Sequence, residues 1–145
     1  ETVLRMHPAV RPQARYDRSL KVLARIHEQG LVSKTSLMAG IGERDEEILQ
    51  VMQDIRDQAN TDILTIGQYL QPTRNHLPVD RWVTPEQFDE WRQAGLEMGF
   101  KVVESGPLVR SSYHAEEQAQ RLSPAGRETA EAMDAILKST RIGNE

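Results

Sequence analysis

Apolar positions repeat along the chain in two alternating rhythms. In "PQARYDRSLKVLARIHEQG", Tyr16, Leu20, Leu23 and Ile26 or His27 fall on one face, which predicts a helix from about Gln13 to Gln29 stopped by Gly30. "VSKTSLMAGIG" then reads as a strand running into Gly40 and Gly42. It is followed by "ERDEEILQVMQDIRDQAN", where Ile48, Val51, Met52 and Ile55 return to helical spacing behind an acidic first turn. "TDILTIG" is a β-branched run of the kind a buried strand uses. "QYLQPTRNHLPVDRWV" is polar and broken by proline, and predicts a long loop.

"TPEQFDEWRQAGLEMG" opens a helix with Thr84 as N-cap, Pro85 at the first helical position and Gln87 placed to close a capping box. Phe88 and Trp91 form its core face and Gly99 its end. "FKVVES" is the third strand, and "SPAGRETAEAMDAILKST" predicts a C-terminal helix capped by Ser123. Helix and strand alternate throughout, which implies an α/β fold of parallel strands joined by right-handed helical crossovers. Three strands, or four with the opening "ETV", make half a barrel or a small open sheet. In such folds ligands gather at the carboxyl ends of the strands. Those ends are "AGIGE", "GQYLQP" and "SGPLVRSSYH", so one shared site is expected there.

Composition narrows the chemistry. The 145 residues are 38% hydrophobic and 28% charged with a net charge of −4, which suits one globular domain. No apolar run approaches a membrane span, and the mildly acidic balance gives no pull toward nucleic acid, so neither partner is expected. The chain has no cysteine, which removes disulfides, thiol nucleophiles and any all-thiolate metal site within these residues. The four histidines show no metal-ligand spacing. Ser111 or Ser112 with His114 makes a poor catalytic triad, because no nucleophile elbow surrounds them.

"MAGIGERDEE" sets glycines between a strand and a helix, a geometry for close approach of a nucleotide or its ribose, yet it is neither a P-loop nor a dinucleotide fingerprint. Glu43 is suited to accept hydrogen bonds from ribose hydroxyls or an amino group. A tight turn with an acidic helix start explains the same residues. Gln68 and Gln71 offer paired amides for a neutral polar ligand, whereas Arg74 and His76 read as solvated loop. Arg110, Ser111, Ser112, Tyr113 and His114 crowd five hydrogen-bonding side chains behind the last strand, which an ordinary loop seldom does.

"ETVLRMHPAVRPQARYDRSL", "SLMAGIGERDEEI", "DILTIGQYLQPTRNHLPV" and "ESGPLVRSSYHAEE" resemble, in order and spacing, the C-terminal half of the lipoyl synthases, members of the radical S-adenosylmethionine superfamily. The resemblance runs from Glu1 to about Gln118, with Leu4 where many members have proline. It implies the C-terminal half of a partial (β/α)6 TIM-type barrel over residues 1–120, with "ETV" as the tail of strand three, and a helical tail over residues 121–145.

It also implies an activity: insertion of sulfur at C6 and C8 of a protein-bound octanoyl group. The family uses S-adenosylmethionine and two 4Fe–4S clusters, one making a radical and an auxiliary one supplying sulfur. Both clusters hang on cysteine triplets expected upstream of Glu1, as CxxxxCxxxxxC and CxxxCxxC. The auxiliary cluster also takes a serine from the RSSY motif. By this resemblance Ser112, with Ser111 as the alternative, is the auxiliary-cluster ligand, and Arg110 and Tyr113 orient it. Glu43, Gln68, Gly40, Gly42 and Glu1 are implied for S-adenosylmethionine. The implied partners are an octanoylated carrier (a lipoyl domain or glycine cleavage H protein) and the missing N-terminal half. The implied location is the cytoplasm in a bacterium and the mitochondrion in a eukaryote. Alone, the chain is expected to be inactive. Two alternatives stand beside this reading. One is a non-catalytic half-barrel module pairing with a cysteine-bearing chain. The other is an unrelated lyase or hydrolase using His114 and Glu43.

Overall fold

The computed structural model describes residues 15–123, which fall into two compact units dividing between Tyr113 and His114. In the first, the order is α1 (Tyr16–Glu28), β1 (Lys34–Ala39), α2 (Asp45–Ala59), β2 (Ile63–Gln68), α3 (Pro85–Glu97) and β3 (Val102–Gly106). The strands form one parallel sheet in the order β1-β2-β3, in register from Lys34↔Ile63 to Ala39↔Gln68 and from Ile63↔Val102 to Gly67↔Gly106. This is an α/β half-barrel layout with helical crossovers. Among the described residues the sheet is not closed, and β1 and β3 are its edges.

The predicted stops operate as chemistry requires. Gly30 takes a φ of 72° behind α1, its N–H bonded to the His27 carbonyl while Leu31 N–H reaches Ile26. That paired closure needs a left-handed residue, which glycine adopts without a Cβ penalty. Thr84 accepts the Gln87 N–H at 3.2 Å and Pro85 starts α3. The Gln87 side chain bonds Glu90 at 3.0 Å, one turn on along the exposed face, and does not close the expected capping box. Thr84→Ala is expected to lower the unfolding free energy by about 1 kcal/mol, read as a shifted urea midpoint at unchanged slope.

One face of the sheet carries the core. Leu64 and Ile66 of β2, Ala39 of β1 and Val103 of β3 pack against Leu20, Ile48, Met52, Ile55, Phe88 and Trp91, the last two fully buried and set edge to face at 5.5 Å. Every residue of β2 is buried, Thr65 and Gln68 included, as its β-branched run predicts for a central parallel strand. Gly95 lets α3 sit close on β3, since a Cβ there would press on Val103 and Met52. Tyr16 ties α1 to α2 by donating to Asp54 at 2.8 Å; burial, and then the Asp54 hydrogen bond and charge, push its phenol well up.

The third strand begins at Val102, later than the predicted Phe100, because the Asp62 carbonyl takes both Lys101 N–H and Val102 N–H there. In the second unit, α4 (Ala115–Leu122) was not expected from the apolar pattern. Its pairs Glu117–Arg121 and Glu116–Gln120 lie four residues apart along its axis, and Ser123 closes it by donating to Gln120 O. The helix expected beyond Ser123, the "ETV" strand and Glu1 lie outside the described residues.

Candidate functional site

Three strand ends come together as expected, each bent by a different local cause. After β1 the chain turns through Gly40 and Gly42, with φ of 98° and 111°. Glu43 stabilises that turn. Its buried carboxylate accepts Gly40 N–H at 2.7 Å and Ile41 N–H at 3.0 Å. Arg81, from the loop before α3, stands 3.6 Å from Glu43 and is bonded to Asp45. The acidic helix start seen in the sequence is thus partly a socket for Arg81. Arg81 gives no signal in the sequence, lying in an irregular loop 38 residues from Glu43 in the chain.

Gln68, at the end of β2, is buried, and its side chain is bonded within the protein on every side. Its amide donates to the carbonyls of Ala39, Tyr69 and Arg81 at 3.1–3.2 Å and its oxygen accepts Val83 N–H at 2.9 Å. It thereby latches the 69–83 loop onto the Gly40 turn. A side chain at Gly40 would collide with that amide. Gln71 is exposed and bonds His76 O; Arg74 and His76 are exposed on the loop.

After β3, the chain makes two successive turns, Val109 N–H to Gly106 O at 3.1 Å and Tyr113 N–H to Arg110 O at 2.9 Å. These carry residues 107–113 back over the sheet face opposite the helices. That face bears Ser36 and Thr65, whose hydroxyls meet at 2.6 Å, and bare Gly67 beneath the Val109 carbonyl. The Lys34 ammonium donates to Tyr113 O at 2.9 Å. Burial pulls the Lys34 amine down against the opposing charge of Glu104. Arg110 folds its guanidinium onto the Val109 and Pro107 carbonyls.

A cavity of about 540 Å³ opens along β1 between α1, α2, the end of β2 and residues 109–111. Glu43, Arg110, Ser111, Gly67 and Thr65 line it together. Ser112 and Tyr113 are exposed and lie outside that wall. His114 opens α4 with a φ of 49° and faces Glu117 within the second unit. Among the described residues no three His, Cys, Asp or Glu side chains converge as a metal site, and no helix is long and apolar enough to cross a membrane.

No protein-family model matches the chain. Curated relatives are close in sequence, among them the following. The lipoyl synthase of Rubrobacter xylanophilus is 57% identical over 122 residues, 83% of this chain and 38% of the relative. That of Syntrophotalea carbinolica is 58% identical over 124 residues, 84% of this chain and 40% of its own length. The mitochondrial lipoyl synthase of Nematostella vectensis is 55% identical over 117 residues, 80% of this chain and 40% of the relative. The chain therefore spans about two fifths of the length of the relatives it matches.

Proposed function

We propose that this chain, which belongs to the lipoyl synthase family as a C-terminal part of it, supplies one wall of the S-adenosylmethionine pocket and one oxygen ligand to an auxiliary 4Fe–4S cluster. The complete enzyme inserts two sulfur atoms into a carrier-bound octanoyl group. Ser112 is the ligand, with Ser111 its alternative; Arg110 and Tyr113 orient it. The observation that supports this reading is the return of residues 107–113 over the open sheet face, which brings Ser111 into the cavity wall where the strand ends converge and leaves Ser112 exposed beside it.

The donor set fits one ligand position of a cluster and no more. With no cysteine in the chain, a cluster needs thiolates from residues outside it. When bound, the clusters and S-adenosylmethionine supply the radical and the sulfur. The residues here do simpler work. Gly40 and Gly42 keep side chains out of the turn that faces the cofactor, and Glu43 and Gln68 hold that turn in place. A hydroxylate is a harder ligand to iron than a thiolate, which suits a cluster that must be dismantled. By itself the chain is inactive, and an octanoylated lipoyl domain or H protein is the partner of the complete enzyme.

The test joins the chain to the part of the Rubrobacter relative that it does not match, reconstitutes with iron and sulfide without oxygen, and weighs an octanoylated lipoyl domain by mass spectrometry. The expected product carries two added sulfurs. Ser112→Ala is expected to lower product by about a hundredfold, the upper end of what losing an orienting partner of a metal ligand costs, and to change the cluster spectrum. Unchanged product and spectrum in both Ser112→Ala and Ser111→Ala would sink the proposal.

A further inference from the structure

The serine-bearing segment is closed on itself by local turns. Its two turns are closed by backbone bonds inside residues 106–113, so it behaves as a small preformed piece whose place depends on what it touches. Two contacts to the sheet are long in sequence. At the near end, the Val109 carbonyl lies against Gly67 so tightly that any Cβ at Gly67 would overlap its oxygen. At the far end, Lys34, 79 residues earlier, donates to the Tyr113 carbonyl. Ser111 and Ser112 lie between these two points. Gly67 has no left-handed backbone to justify it, so close approach is what the position requires. An ammonium to a carbonyl at 2.9 Å is a charge-assisted bond, stronger than the neutral turn bonds it restrains.

We propose that Lys34 and Gly67 are positioning residues for the serine segment, clamping it at both ends so that its hydroxyls present at one fixed place over the sheet. The inference rests on the reading of Ser112 or Ser111 as ligand only for its purpose; the clamp is a property of the chain itself. Lys34 sits on the same sheet face as Ser36 by strand alternation, which is why its side chain is directed at the returning segment. Gly67 gives the segment a bed, and Lys34 gives it an end stop.

Trypsin reads the clamp directly. Arg110 is a cleavage site inside the segment, and Arg74, exposed in the 69–83 loop, is an internal reference. Cleavage of a transiently opened site follows the population of its open form, so the ratio of Arg110 to Arg74 cutting reports local release. Lys34→Met and Gly67→Ala are each expected to raise that ratio about tenfold, and Lys34→Arg to return it near the starting value. A ratio that stays put in both variants, through unchanged rates or a common acceleration, overturns the clamp.

Ser112→Ala separates the two readings. It is expected to leave the cleavage ratio unchanged while altering the cluster spectrum of the reconstituted protein. If the ratio moves in the clamp variants and the Ser112→Ala spectrum does not, the clamp stands and the ligand reading falls. If the spectrum moves and the ratio does not, the reverse holds.

Discussion

Gln68→Leu is expected to lower the unfolding free energy by about 3 kcal/mol and to loosen the whole 69–83 loop. The size follows from what the side chain holds. Leucine matches much of its volume, so little cavity is made, and the loss lies in hydrogen bonds. Val83 N–H is buried and has the Gln68 oxygen as its partner at 2.9 Å. Left alone it costs about 1–3 kcal/mol, and the carbonyl of Arg81 loses a donor as well. The effect spreads because Asp80 N–H and Arg81 N–H both reach Gly40 O, so freeing the loop also frees the β1 turn. Urea unfolding gives the free energy. Hydrogen exchange gives the locality: faster exchange at Asp80, Val83 and Gly40, with β2 protected until global opening. A leucine variant within about 0.5 kcal/mol of the parent, the scale of an ordinary surface change, would show that the latch is dispensable.

The latch also marks the limit of what the sequence discloses. β2 was legible because Ile63, Leu64, Thr65 and Ile66 make a compact, mostly β-branched run of the kind a buried strand uses. The end of α1 was legible because Gly30 answers a local requirement, and the start of α3 because Thr84 and Pro85 do the same. The α4 helix was not, because "AEEQAQRL" has too little apolar stripe; its ion and amide pairs at four-residue spacing were the available signal. Site geometry was least legible. That AGIGE, GQYLQP and the RSSY segment share one region follows from the rule of strand ends. That Glu43 is turned inward onto Gly40 and Ile41, that Gln68 is a latch, and that Lys34 meets residue 113 are contacts set by the fold. The ligand role proposed for Ser112 rests on likeness to a family, since a hydroxyl after a strand has no chemical signature of its own.

At the opposite end of the strands from that site, Asp62→Ala is expected to cost about 3 kcal/mol, and acid is expected to weaken the contacts of the same carboxylate in the unaltered chain. The Asp62 carboxylate is buried and accepts Ser33 N–H at 2.9 Å, the Ser33 hydroxyl at 3.2 Å and the Lys101 ammonium, while its backbone carbonyl starts β3. It therefore joins the entries of all three strands. Removing it strands a buried N–H, while Lys101, partly exposed, regains water; that difference keeps the loss at about 3 kcal/mol, the low end for breaking a buried pair.

Burial alone would raise its pKa; the bonds from Lys101 and Ser33 outweigh that and hold it below the ordinary carboxylate value. The unfolded chain then binds its proton first as acid is added. The stabilisation is complete above the unfolded value of about 4 and fades as pH falls through the lower, folded one. Asp62→Asn keeps the shape and deletes the titration. Its stability, measured by urea unfolding across that range, should fall less steeply than the parent's toward low pH. Parallel slopes for the two proteins, or an Asp62→Ala loss under about 1 kcal/mol, would mean that the strand entries are held by packing alone.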